Sequence, residues 1–147
     1  MKVIILIAVM AISVYMAFIR VSVLKERLEK SKKMLLLSEK IRKNYLTEML
    51  SPISVCRELC GGEIHTKAQA IEAIKSEFAG VRGEDEFTER FSKLFTASAD
   101  ELDDICSSLN ECASNGYRSV AAEYEKNKDL VYIIYPGIVG IVSIIIM

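Results

Sequence analysis

Four cysteines, one histidine and two runs of carboxylates are the residues of this chain with chemistry to offer. Cys56 and Cys60 are four apart, the spacing that places two side chains on one face of a helix. Together with His65 they could supply three zinc ligands. A closed structural site wants a second cysteine pair spaced by two to four residues, and Cys106 and Cys112 are six apart. The pattern therefore points to small buried thiols in a helical core. His65 follows Gly61-Gly62 and reads as a solvated loop histidine, and no second histidine exists to serve a Ser–His or Cys–His pair. A phosphate loop, a G-x-S-x-G elbow and an H-E-x-x-H helix are all missing. The chain is expected to be a non-enzyme with no catalytic residue, no metal and no cofactor.

Glu84, Asp85, Glu86 and Glu89 form the densest acidic group. They lack the alternation and the glycine of an EF-hand loop. At a helix start they complement the dipole, as do Asp100, Glu101, Asp103 and Asp104 at the next one. The first group also flanks a loop, so it is the candidate surface for a soluble protein partner, where charge speeds encounter and makes binding salt-sensitive.

These residues must be positioned by helices, because no run of useful length has the period of a strand. Residues 25–50 contain no Pro or Gly and are rich in Lys, Glu, Leu and Met, all good helix formers. Leu24, Leu28, Leu35, Ile41, Leu46 and Met49 form an uneven apolar seam, broadened by Leu36 and Leu37. One long helix to about Met49 is predicted. Ser51 suits an N-cap and Pro52 the first turn of the next helix. Gly61-Gly62 should stop it after Ile53, Cys56, Leu59 and Cys60. Thr66 and Gln69 form a capping box ahead of Ile71, Ile74 and Phe78, with Gly80 as the stop. Val81–Glu86 reads as a charged turn. Phe87, Phe91, Leu94 and Phe95 give an amphipathic helix. Ser98 and Glu101 form a second capping box, followed by Leu102, Ile105, Cys106, Leu109, Cys112 and Ala113 at helical spacing. Asn115-Gly116 is expected to close that helix. Tyr117, Val120, Ala121 and Tyr124 open a last one that nothing breaks before Leu130.

Both ends are apolar. Val3–Ile19 and Leu130–Met147 contain no charged side chain. A helix of 18 residues spans about 27 Å at ~1.5 Å per residue, close to a hydrocarbon core of roughly 30 Å. The first stretch has no convincing small-x-small cleavage site, so it reads as an uncleaved anchor with Arg20 snorkelling to the interface. In the second, Pro136 should kink the helix, and with Gly137 and Gly140 it leaves a bare face for another helix. The expectation is an all-α, membrane-anchored six-helix bundle. Residues 1–24 form an N-terminal transmembrane helix, 25–129 a helical bundle and 130–147 a C-terminal transmembrane helix. From Arg20 to Leu50 there are nine Lys or Arg against four Glu, and residues 51–129 carry nine basic against sixteen acidic. The basic excess beside the first anchor puts the bundle in the cytoplasm and both termini outside. Glutamates interrupt the basic run and no aromatics interleave with it, so nucleic acid is not the expected partner.

This layout resembles the stage III sporulation protein AB family over the whole length. The similarity is carried by the first anchor with its Leu- and Lys-rich helix and by Ser51-Pro52-Ile53, where that family tends to have Thr-Pro-Leu. The Phe87–Phe95 segment and the closing EYEKNKDLVYIIYPGIVGIVSIIIM carry it further. It departs at Cys112-Ala113-Ser114-Asn115-Gly116, where the family usually shows a Leu-Gly step and then Ser-Asp. The resemblance implies a platform subunit in a transenvelope channel of the mother-cell membrane, with a body similar to the cytoplasmic domains of type II secretion and type IV pilus platform proteins. It implies a cytoplasmic hexameric ATPase and other membrane subunits of the same complex as partners. The alternative is a membrane-anchored regulatory or signalling module unconnected with secretion.

Overall fold

A computed structural model describes residues 2–47, 51–134, 137 and 140–142. Among them every regular element is helical: α1 (Lys2–Thr47), α2 (Pro52–Cys60), α3 (Lys67–Glu77), α4 (Glu84–Lys93), α5 (Leu102–Asp129) and a π-helical stretch, Leu130–Ile134.

Local chemistry sets the helix starts. Ser51 accepts the Ile53 N–H at 3.2 Å, with Pro52 in the first turn of α2. Thr66 and Gln69 form the full reciprocal box before α3. The box before α5 is half made. The Glu101 carboxylate accepts the Ser98 N–H at 3.1 Å, but the Ser98 hydroxyl donates to that same carboxylate. Two stops differ from expectation. The charged turn after Gly80 is shorter than Val81–Glu86, because Gly83 takes a left-handed conformation and α4 begins at Glu84. Asn115-Gly116 ends nothing, since α5 runs straight through it. Gly116 is buried in the helix, and a β-carbon there would lie 2.8 Å from the Arg82 carbonyl oxygen. It is a glycine because another backbone passes close, not because a turn is needed. The six described elements are thus five α-helices and one π-helical stretch, divided differently from the sequence expectation.

The chain divides into two compact units. In Arg27–Val120, α3 packs on α2 and α4. The core is built from Met34, Leu37 and Ile41 of α1, Val55 and Cys56 of α2, Ile74 and Phe78 at the end of α3, Phe87 and Phe91 of α4, and Cys106, Leu109 and Ala113 of α5. Phe78 meets Phe87 edge-on at 6.0 Å, and Phe91 meets Phe95 at 5.4 Å. Such T-shaped pairs favour the ring quadrupoles. The inward face of α1 here is Ser31, Met34, Leu37, Ser38 and Ile41. Leu37 and Ile41 belong to the seam expected from the sequence, Met34 and the two serines do not, and of the other leucines in that seam Leu35 is only partly buried and Leu36 is 45% exposed. Two serines inside the stripe disguise the true helical period. Ser38 donates to the Leu35 carbonyl at 2.7 Å, while the buried Ser31 hydroxyl has no partner among the described residues. The rim is tied by Lys33–Glu77 and Lys40–Glu58, each at 2.5 Å, and by Arg42–Asp103 at 3.8 Å.

The second unit is Met1–Glu26 with Ala121–Met147. Its α1 segment carries its large apolar side chains outward, with Ile4 70% and Ile12 62% exposed. Val21 and Leu24 are buried. Among the described residues α1 is the one helix long and apolar enough to cross a membrane, and none of its apolar window is buried. Of the expected second anchor, Leu130–Ile134 are π-helical and Gly137 and residues 140–142 helical; Pro136, with the expected kink, lies outside the described residues.

Candidate functional site

The four acidic residues singled out by their spacing do not act as one cluster. In α4, Phe87, Thr88 and Phe91 face the core. At ~3.6 residues per turn, Asp85, Glu86 and Glu89 fall on the opposite, exposed side. Glu84 lies on the inner side and folds back, accepting the Gly80 N–H at 2.9 Å. It ties down the loop ahead of α4, whose glycine N-cap offers the helix no side-chain acceptor. Two of the three outer carboxylates are engaged within the helix: Glu86 with Arg90, and Glu89 with Lys93 at 2.8 Å. The Lys93 hydrogen bond and charge hold the Glu89 carboxyl below its ordinary range. Asp85 has no partner among the described residues. The face is acidic but partly self-neutralised.

Beside it is a polar crevice of about 330 Å³ that the sequence reading missed. Arg82, Glu86 and Arg90 line one wall, and Glu111, Asn115 and Ser119 of α5 the other. Arg90 donates to the Ser108 carbonyl at 2.8 Å, and Arg82 to the Ser119 hydroxyl at 2.5 Å. Both arginines thus clamp the α4 end of the body to α5. Reading Asn115-Gly116 as a stop hid this wall, because it removed the helical register that aligns Glu111, Asn115 and Ser119.

The cysteines separate into a pair and two single residues. The Cys56 and Cys60 sulfurs are 3.9 Å apart on α2. Cys56 is buried and Cys60 half-buried. Cys106 and Cys112 are buried singly, and burial pushes both thiols up. His65 is not drawn to the pair. Its Nδ1 is 3.3 Å from Arg57 Nη2, and its backbone N–H is held by Gln69 at 2.9 Å. Among the described residues no three His, Cys, Asp or Glu side chains gather as a metal site would require. In the other acidic run, Glu101 is spent on Ser98 and Asp103 reaches Arg42. Gly137 and Gly140 are helical and exposed, and a β-carbon at either would meet no atom of the described residues within 4 Å.

Comparisons with family models, with curated proteins and with solved structures found no match to this chain.

Proposed function

We propose that this chain is a non-enzymatic membrane platform subunit of a sporulation-associated, secretion-like channel, which couples a cytoplasmic ATPase to the membrane assembly. The observation that carries the reading is α1. One uninterrupted helix, Lys2–Thr47, holds both an unburied apolar stretch able to cross a membrane and the core residues Met34, Leu37 and Ile41. That helix holds no Pro and no Gly from Lys2 to Thr47. The resemblance to the stage III sporulation protein AB family supplies the class of machine. On this reading the chain spans the mother-cell membrane twice, with residues 25–129 in the cytoplasm and both termini outside. Gly137 and Gly140, open on the side where a side chain would stand, offer a close-packing face to the helix of another membrane subunit. Asp85, Glu86 and Glu89, with Glu84 holding the loop beneath them, form the docking face for a basic surface of the ATPase.

Co-purification from a spore-forming host in mild detergent tests this. A secretion-type ATPase is expected among the captured proteins, which also requires the bundle to be on the cytoplasmic side. Changing Glu84, Asp85, Glu86 and Glu89 together to Lys should slow association, most strongly at low salt. Capture of signalling proteins without an ATPase would favour the regulatory alternative and sink the platform. Unchanged association of the charge-reversed chain would remove α4 as the docking face.

A further inference from the structure

The platform reading leaves the Cys56–Cys60 pair unused, and α2 arranges it for chemistry that Cys106 and Cys112 cannot do. We propose that Cys56 and Cys60 are a peroxide-responsive dithiol, with Cys60 as the reacting thiol and Cys56 as the resolving one, and that their disulfide unwinds the last turn of α2.

Four features of the site carry it. The two sulfurs are 3.9 Å apart, so a second thiol waits at hand the moment the first is oxidised. Only Cys60 is reachable from solvent, since Cys56 is fully buried. A thiolate on Cys60 is met by the Cys56 S–H, which lowers its pKa, and by the charge of Lys33; burial and Glu77 act in the opposite sense. Last, Cys60 is the final residue of α2, and Gly61 and Gly62 follow with φ of 74° and 86°.

The position at the helix end decides whether a bond can close. Side chains four apart on a helix keep their β-carbons roughly 5–6 Å apart, whereas a disulfide needs about 3.5–4.5 Å. In mid-helix that gap would forbid the bond. At Cys60 only the terminal turn must open, and two glycines already in left-handed conformations absorb the change at little cost. The Cys56 sulfur also lies 3.8 Å from the Ala70 carbonyl of α3. Drawing it toward Cys60 takes it away from the α2–α3 contact.

The chemistry balances with a hydroperoxide as oxidant. The Cys60 thiolate attacks one peroxide oxygen; an S–O bond forms, the O–O bond breaks, and the departing oxygen leaves as alcohol or water after taking a proton. Sulfur has then lost two electrons as sulfenic acid. Cys56 attacks that sulfur, the S–S bond forms, the S–O bond breaks, and hydroxide leaves as water with the Cys56 proton. Two thiols and one peroxide give one disulfide, one alcohol or water, and one further water.

The full chain in detergent, treated with dilute hydrogen peroxide, alkylated and cut with trypsin, reads the outcome directly. Arg57 lies between the two cysteines, so their disulfide joins peptide 44–57 to peptide 58–67, while Cys106 and Cys112 share peptide 94–118. The linked pair is expected to appear severalfold faster than any oxidation of 94–118, and to vanish with dithiothreitol. Hydrogen exchange at Cys60 and Gly61 should quicken in the oxidised chain. Cys56→Ser should give no linked pair and leave a sulfenic acid on Cys60 that dimedone traps. Cys60→Ser should leave Cys56 reduced. The proposal is overturned if 94–118 oxidises first, if Cys60 links to Cys106 or Cys112 instead, or if Cys56 reacts as fast in the Cys60→Ser chain.

Discussion

The two units use the same kinds of residue in opposite ways. In Arg27–Val120, Phe78, Phe87, Phe91, Leu37 and Leu109 are fully buried. In the α1 segment of the other unit, Ile4, Ile5, Ile7 and Ile12 are all at least 60% exposed. An exposed isoleucine in water forfeits roughly 1.5–3 kcal/mol of burial. A row of them on one helix makes sense when the solvent is hydrocarbon, where the same surface costs nothing and only the backbone needs its internal hydrogen bonds. In the bundle the apolar face is a narrow stripe and small errors of fit are costly. In the apolar segment the whole circumference is alike, and single truncations should pass almost unnoticed.

The largest expected effect breaks that contrast if it fails. Leu109→Ala should destabilise the bundle by roughly 2–5 kcal/mol through a cavity under α5, read from denaturant or thermal melting of the chain in detergent. Ile12→Ala in the same assay should leave the bundle's transition where it is. Equal shifts for the two variants would mean that the apolar α1 segment is packed like a core.

Next comes Gly116→Ala. In an exposed helix interior, replacing glycine by alanine gains about 0.5–1 kcal/mol. Here the new methyl meets the Arg82 carbonyl at 2.8 Å, a backbone atom that cannot swing aside. The sign should reverse, with a loss of roughly 1–3 kcal/mol as for other overpacked sites. A higher melting temperature for the Gly116→Ala chain would show that α5 and the Arg82 loop are further apart than described.

The smallest effect has the opposite direction. Ser31 buries a hydroxyl with no partner among the described residues, and an unmet buried polar group costs about 1–3 kcal/mol. Ser31→Ala should raise the bundle's stability by about 1 kcal/mol. A fall of that size would mean the hydroxyl does find an acceptor.

Much of the candidate site was legible where the signal is local. The Thr66–Gln69 box, the Ser51-Pro52 start and the stop after Cys60 came from side chains acting on their own turn of backbone, and each is found where the residues place it. The i, i+4 spacing of Cys56 and Cys60 likewise foretold two sulfurs on one face. The acidic group was legible as charge but not as a surface, because Glu84 is taken by the Gly80 N–H across a loop.

By itself the sequence determined the helical class, the starts of α2 and α3 and the charge-free terminal stretches. Each rests on periodicity, capping chemistry or composition within a few residues. Tertiary structure alone decided the meaning of Gly116, the place of Ser31, Met34 and Ser38 on the inward face of α1 and the Arg82–Arg90 crevice. Gly116 looked like a stop until the Arg82 backbone was seen to pass beside it. Ser31 and Ser38 looked polar until packing put them inside. A residue's own preferences act over one turn of helix, but close approach and burial are set by whichever distant segment arrives, and no local pattern records that.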